Sequence, residues 1–290
     1  MPGKVSYKWT KGLAVLCASL ISLSGCSAAG VMPAGAGALR EQDVSAAESA
    51  ADELTAPPEY DASLALLWVV SGEYSLPKSY EPADLEEIGG VKLALPAAEA
   101  LSDLQRGMDI DGGGKLVILQ GYRSGQEQEE TLEQRTAYYQ DQGYSAARAE
   151  TFAQYDCGPV GSDAYQTGLI VKVGAQEGGL KSQEAGEWLR TRAADYGFQV
   201  SFDGENAVLR YVGPFHAAAM SQLNVDFDGY IAYLDAYRQC LFTWNGESYK
   251  AEIVSDLSGI EGETVSICGD NRGGYIAVSI QEGSNGHSGG

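Results

Sequence analysis

Residues 161–172 read GSDAYQTGLIVK, and the rest of the chain is organised around this stretch. Its first part, residues 161–168, begins and ends in glycine and is otherwise mostly polar, a composition typical of a loop. The part from Leu169 to Val173 is largely apolar and rich in β-branched residues, which favours a strand. The stretch therefore predicts a polar loop that leads directly into a strand of a sheet.

A strand-to-helix turn is predicted upstream of this loop. The β-branched run 115–120 reads as a short buried strand. It is followed by Ser124 and Glu127, whose spacing is that of a capping box at the start of a helix. Arg123 then lies at the turn, where side chains often face a cleft, although a surface arginine paired with a neighbouring acid is the alternative interpretation.

The remaining elements alternate irregularly between helix and strand. This order predicts an α+β fold in which helices flank an antiparallel sheet. Beyond residue 240, short β runs separated by turn residues predict a small C-terminal β appendage. The other elements expected are helices at 96–108, 145–155, 182–196, 214–220 and 227–237, and strands at 199–202 and 207–212 joined at Asp203-Gly204.

The composition excludes some classes of function. The chain has 40 acidic and 19 basic residues and a formal charge of −21, so nucleic acid would be repelled. Its five cysteines include no CxxC pair, which argues against a thiolate zinc site. The only histidines are His216 and His287; His287 lies in a Gly/Ser-rich tail, and His216 is interpreted as a packing residue of a helix.

The N-terminus has the composition of a secretion signal. Three lysines precede an apolar run at 12–23, which is too short for a transmembrane helix of ~20 residues. The sequence LSGC, ending at Cys26, resembles a bacterial lipobox and implies lipidation of that cysteine. A plain signal peptide with a free Cys26 is the alternative. We therefore expect an extracytoplasmic protein, lipid-anchored to the bacterial cell membrane.

The predicted domain organisation follows from these signals. The thiols Cys157, Cys240 and Cys268 permit three single disulfides outside the cell, and Cys240–Cys268 is favoured because both residues lie in the C-terminal part. The segments expected are a signal peptide at 1–25, a flexible tether at 26–60, a main domain at 61–240, the β extension at 241–283 and a disordered tail at 284–290.

Five blocks of sequence, in the same order, resemble the VanY-like zinc D-alanyl-D-alanine carboxypeptidases over about residues 67–237. The resemblance implies a small α+β domain with an antiparallel sheet floor, a zinc cofactor and trimming of D-alanine from peptidoglycan stem peptides. The blocks are LPKSYEPADLEE (76–87), GYRSGQEQ (121–128), YQTGLIVK (165–172), EWLRTRAADYGF (187–198) and LRYVGPFHA (209–217).

The chain departs from this family at the metal ligands. The family motif S-E-H-Q-T-G-L-A-V-D supplies a His and an Asp, where this chain has Tyr165 and Lys172. The motif E-P-W-H-L-R-Y-V-G supplies a general-base Glu, retained as Glu205, and a third ligand, here Val208. A catalytic zinc needs three such ligands and an open water position. We therefore expect no metal cofactor and no hydrolysis by the family mechanism, with Glu205 as a residual, inactive base position.

Binding of the substrate could outlast the loss of chemistry. Arg123 matches the family arginine thought to hold the substrate carboxylate, and Gln128 matches the glutamine of the same motif. Tyr165 and Lys172 occupy the vacated metal site and are expected to contact substrate. We also expect Lys172 to form an ion pair with Glu205, within the usual limit of ~4 Å.

Residues 224–235 resemble a calcium-binding loop in the spacing of their acids. The spacing of Asn224, Asp226, Asp228 and Asp235 approximates such a loop, but the last position carries Asp in place of a bidentate Glu. The favoured alternative is that Asp226 is the N-cap of a helix.

The sequence thus predicts a membrane-anchored lipoprotein that binds peptidoglycan stem peptide or an envelope protein without cutting it. Two alternatives stay open at this point. One is an active D-alanyl-D-alanine carboxypeptidase with a non-standard metal site, for which Glu205 is the best argument. The other is a scaffold that acts through the β appendage.

Overall fold

The residues that the computed structural model describes all fall within the unit 57–290. The predicted signal peptide with Cys26, the tether and the tail lie outside them. Within the described part, no helix is long and apolar enough to cross a membrane. The described residues are 65–281, without 177, 257–259 and 261.

The main sheet has four strands in the order β3-β4-β6-β5, all antiparallel. It confirms the predicted α+β fold with an antiparallel sheet. The hairpin predicted at Asp203-Gly204 is present, with Gly204 and Glu205 as its two turn residues. The strands are β3 (Leu116–Gln120), β4 (Ile170–Ala175), β5 (Phe198–Asp203) and β6 (Asn206–Tyr211).

The helices complete this layer. Alternate residues of the sheet, such as Val171, Val173 and Leu209, are buried in a core with apolar residues of α1, α4 and α5. The opposite face of the sheet carries Lys172 and Val208, and it holds the candidate site. The helices are α1 (Leu95–Ile110), α2 (Gly125–Asp141), α3 (Ala146–Cys157), α4 (Glu184–Arg192), α5 (Pro214–Leu223) and α6 (Phe227–Tyr237).

Strand β3 differs from the prediction of a buried strand. It lies at an edge of the main sheet, where Val117 and Leu119 are 39% and 47% exposed. Only alternate residues, Leu116 and Ile118, pack against the core. The apolar run thus serves both faces of the strand. Leu116 and Ile118 contact the core, and Val117 and Leu119 lie on the open face of the sheet.

A hairpin of two short strands, β1 (Leu85–Ile88) and β2 (Val91–Ala94), precedes α1 and was not predicted. Its turn is Gly89-Gly90, and both glycines have positive φ, at 60° and 85°. These values match a two-residue turn that glycine adopts without strain.

The four C-terminal strands form a second antiparallel sheet in the order β7-β8-β10-β9. Its inner residues, among them Phe242 and Cys268, belong to the same buried cluster as the core of the main sheet. The ring of Phe215 in α5 lies 4.9 Å from Trp244 and 5.0 Å from Tyr249. The strands are β7 (Gln239–Trp244), β8 (Glu247–Val254), β9 (Thr264–Asp270) and β10 (Gly274–Ile280).

The favoured disulfide between Cys240 and Cys268 is wrong for this structure. Both are free thiols, as is Cys157. Cys240 lies in β7 and Cys268 in β9, at opposite edges of the second sheet. Strands are spaced by about 4.8 Å, so three spacings exceed the Cα separation of roughly 4.4–6.8 Å that a disulfide needs.

Candidate functional site

The candidate site lies where β3 passes into α2, next to the loop that precedes β4. The predicted capping box is confirmed: Ser124 accepts from the backbone N–H of Glu127, and the Glu127 carboxylate accepts from that of Ser124. The backbone N–H of Arg123 donates to the carbonyl of Tyr165 at 3.5 Å. Local capping and this contact place Arg123 beside Tyr165.

The guanidinium of Arg123 is held at one nitrogen by two side chains. Its Nη1 lies 3.1 Å from Oδ2 of Asp163 and donates to Oε1 of Gln128 at 3.0 Å. Among the described residues, Nε and Nη2 have no partner. The side chain is 29% exposed, so one edge of the guanidinium stays available for a ligand.

Gln128 is buried and makes its contacts inside the protein. Its Nε2 donates to the carbonyl of Cys157 at 2.5 Å, while its Oε1 accepts from Arg123. Gln128 therefore joins the end of α3 to the arginine. This placement makes it a residue that positions Arg123 rather than one that touches a ligand.

Tyr165 is the second residue of a short 3₁₀ helix, Ala164–Thr167, and lies half-buried among charged groups. Burial and, to a smaller extent, the carboxylates of Asp163 and Asp203 raise the pKa of its phenol to about 12, against a lowering effect of Arg123. The phenol is therefore neutral at physiological pH and can donate a hydrogen bond.

Lys172 and Val208 face each other across β4 and β6. Paired residues of neighbouring strands point to the same side of a sheet, so both side chains lie on the face opposite the core. The ammonium of Lys172 contacts Oδ2 of Asp203 in β5 at 2.5 Å. The predicted pair between Lys172 and Glu205 is wrong, because the partner of Lys172 is Asp203 and no ion pair to Glu205 occurs among the described residues.

Glu205 lies in the turn between β5 and β6 and is exposed. Its carboxylate packs against Gly179, where an added Cβ would come within 1.7 Å of Oε2. Because the carboxylate of Glu205 lies against Gly179 and the ammonium of Lys172 contacts Asp203, the two groups do not form an ion pair.

The side chains at the three positions for which the family resemblance implies zinc ligands do not fit a zinc ion. The three positions hold a neutral phenol, an ammonium already paired with Asp203 and an aliphatic side chain without a lone pair. In the described part of the chain, no group of three or more His, Cys, Asp or Glu is placed to hold a metal.

Residues 224–235 do not form a calcium-binding loop. Residues 227–237 are the helix α6, and Asp226 is its N-cap, accepting from the N–H of Gly229 at 2.9 Å. Asp235 pairs with Arg272 at 2.6 Å. The carboxylates of Asp226 and Asp235 are therefore engaged in a helix cap and an ion pair, and the acids of this stretch do not converge on one ion.

Two site residues, Asp163 and Asp203, were not predicted from the sequence. Each neutralises a cation that was predicted, Arg123 and Lys172 respectively. An acid two residues before Tyr165 and another at the end of β5 carry no motif of their own. Only the pairing of the strands shows that Asp203 lies near Lys172.

Comparisons with known proteins agree on one family. The family profile described as VanY, D-alanyl-D-alanine carboxypeptidase, matches residues 90–217. A D-alanyl-D-alanine carboxypeptidase of Enterococcus faecalis (strain ATCC 700802 / V583) is 27% identical over 145 residues, which cover 50% of this chain and 53% of the relative. One of Enterococcus faecium is 26% identical over 169 residues, covering 55% and 49%. The chain thus spans about half the length of these relatives.

A crystal structure of a variant of the vancomycin-resistance D,D-pentapeptidase VanY, in complex with Zn(II), is also similar. It shares 24% identity, covers 58% of this chain and 99% of its own, and gives a TM-score of 0.45. On the family profile and the curated relatives, residues 90–217 form a VanY-family, D-alanyl-D-alanine carboxypeptidase-like domain.

Proposed function

We propose that the protein binds peptidoglycan stem peptides at this site without hydrolysing them, as a lipoprotein on the outer face of the cell membrane. One observation carries the proposal: Lys172, which pairs with Asp203 and faces Val208 across the sheet, is with Val208 and Tyr165 one of the three positions for which the resemblance implies zinc ligands. The relatives of the chain are D-alanyl-D-alanine carboxypeptidases, which supports the class of ligand.

The loss of hydrolysis follows from the chemistry of these side chains. Without a bound metal, nothing at the site lowers the pKa of a water molecule toward ~7. Glu205 could act as a general base only on a water that it reaches, and its carboxylate lies against Gly179. The positively charged ammonium of Lys172 would repel a zinc ion at this position.

Binding is supported by the groups that remain open on the cleft face. Arg123 is oriented by Gln128 and Asp163 and offers its Nε–Nη2 edge to the terminal group of a peptide. The exposed side chains of Val117 and Leu119 lie on the face that carries Lys172, since Leu119 covers Gly174 two residues away. A short peptide with small apolar side chains could lie along this strip.

Metal analysis paired with an assay for D-alanine release tests the lack of hydrolysis. We expect substoichiometric zinc in purified protein and no D-alanine released from a pentapeptide ending in D-Ala-D-Ala, even with added zinc. Stoichiometric metal with turnover would instead establish the active-enzyme alternative.

Titration calorimetry with the same peptide tests binding. Arg123→Ala should weaken binding about tenfold or more, because a charge-assisted contact to the peptide is lost. Arg106→Ala is the control, since Arg106 pairs with Asp103 on the exposed face of α1. Absence of binding by the unmodified protein would leave the scaffold alternative, acting through the second sheet.

The anchor is tested separately from the ligand. In a bacterial host, Cys26→Ser should move the protein from the membrane fraction to the soluble extracytoplasmic fraction and abolish incorporation of labelled fatty acid. Continued lipid labelling of the serine variant would contradict lipidation at Cys26.

A further inference from the structure

Two ion pairs flank Tyr165, and in each of them a carboxylate balances the charge of the cation. Arg123 pairs with Asp163 at 3.1 Å, and Lys172 pairs with Asp203 at 2.5 Å. A carboxylate on a ligand therefore meets no uncompensated cation at this place. This differs from a typical carboxylate-binding site, in which the arginine is free to neutralise the ligand.

Asp163 is fixed more firmly than a surface partner of an arginine. Its Oδ1 accepts from the backbone N–H of Tyr165 at 3.0 Å, as N-cap of the 3₁₀ helix, while its Oδ2 contacts Arg123. Its side chain is only 14% exposed. To release Arg123 to an incoming carboxylate, Asp163 would have to break its cap or stay as an unpaired, largely buried charge, which is unfavourable.

The electrostatic environment of Tyr165 points the same way. At its phenol, the carboxylates of Asp163 and Asp203 raise the pKa while Arg123 lowers it. Two acids and one guanidinium thus act on a half-buried group, where charges are screened less than in bulk water. An added ligand carboxylate beside the phenol would be a third acid.

We infer that Asp163 determines specificity: the cleft accepts peptides whose group at Arg123 is uncharged, such as a C-terminal amide or a carbonyl within a further peptide bond, over peptides with a free carboxylate. The open Nε–Nη2 edge of Arg123 can donate to a carbonyl oxygen as well as to a carboxylate. This inference rests on the proposed peptide binding and names the form of the peptide.

The test compares two peptides of identical sequence ending in D-Ala-D-Ala, one with a free carboxylate and one with a C-terminal amide, by calorimetry. The unmodified protein should bind the amide more tightly than the acid, and equal affinities would contradict the inference. In Asp163→Asn, the amide oxygen can keep the cap on Tyr165 while the charge is lost. We expect this variant to gain roughly three- to tenfold in affinity for the acid and little for the amide.

Asp195→Asn is the matched control, because it removes the same charge from an exposed pair with Arg192 away from the cleft. It should leave the ratio of the two affinities unchanged. Two results would overturn the role of Asp163 and leave peptide binding intact. One is a clear preference of the unmodified protein for the acid. The other is a ratio of the two affinities in Asp163→Asn that equals the ratio in the unmodified protein. Binding of neither peptide by any of the proteins would overturn the proposed function and this inference together.

Discussion

At the scale of single residues, the proposed absence of a metal site concerns three side chains, Tyr165, Lys172 and Val208. Tyr165→His, Lys172→Asp and Val208→His together should create a zinc site, because Lys172 and Val208 are register partners and Tyr165 lies beside the partner of Lys172. Zinc that binds only the folded state increases the free energy of unfolding, by about 2.7 kcal/mol at a hundredfold excess over Kd, and so raises the melting temperature. Differential scanning fluorimetry with and without zinc measures this shift.

The double variant Tyr165→His, Val208→His is the control for this experiment. It retains the ammonium of Lys172, which repels a cation, so zinc should shift its melting temperature little. An equal shift in the double and triple variants would show that the metal binds elsewhere.

A second residue-scale prediction concerns His216, which is fully buried. Its Nδ1 lies 3.1 Å from the hydroxyl of Tyr230, and its Nε2 lies 3.7 Å from the sulfur of Cys268. Burial lowers its pKa from 6.5 to about 4. The unfolded chain protonates this imidazole at a higher pH than the folded protein does. The free energy of unfolding therefore has its full contribution from neutral His216 above pH 6.5 and loses about 3 kcal/mol as the pH falls toward 4.

Urea denaturation at several pH values tests this dependence. The informative quantity is the difference between the unmodified protein and His216→Asn, because the contributions of all other groups cancel in it. That difference should shrink steadily between pH 6.5 and 4.5. Parallel curves would contradict a neutral, buried histidine.

At the scale of elements, the N-cap of α2 is a local device that also orients the site. Ser124→Ala removes the hydroxyl that accepts from the N–H of Glu127 and should cost about 1 kcal/mol. Ser145→Ala is the matched control, because Ser145 stands at the N-cap of α3 without a side-chain capping bond. Chemical denaturation compares the two, and equal losses would contradict the role of the capping box.

Elements with local signals were predictable from the sequence. The capping box of α2 and the apolar periodicity of α1 each depend on neighbouring residues, and both appear where expected. The hairpin β1–β2 is not predicted, because its strands are only four residues long. The partners of Arg123 and Lys172 depend on which strands pair, which no local signal contains.

At the scale of the whole molecule, the second sheet completes the core of the described unit. Its inner face packs on α5 and α6, and its β9–β10 turn holds the segment that leads into the domain. There, Asn271 accepts from the N–H of Val69 at 3.1 Å and donates to its carbonyl at 2.8 Å. The predicted C-terminal β extension is confirmed as this second sheet. Its sharing of the core has no local sequence signal, because it depends on tertiary packing.

A shared core has a measurable consequence, and two neighbouring residues of β7 provide the comparison. Phe242 is 5% exposed and packs on Tyr249, whereas Leu241 is 66% exposed on the other face. Phe242→Ala should destabilise the unit by about 3 kcal/mol through the cavity it leaves, and Leu241→Ala by less than about 0.5 kcal/mol. In hydrogen exchange, Phe242→Ala should lower the protection of α1 and β4 as much as that of β8 and β10, because unfolding is cooperative across one core. Loss of protection confined to β7–β10 would show that the second sheet folds independently.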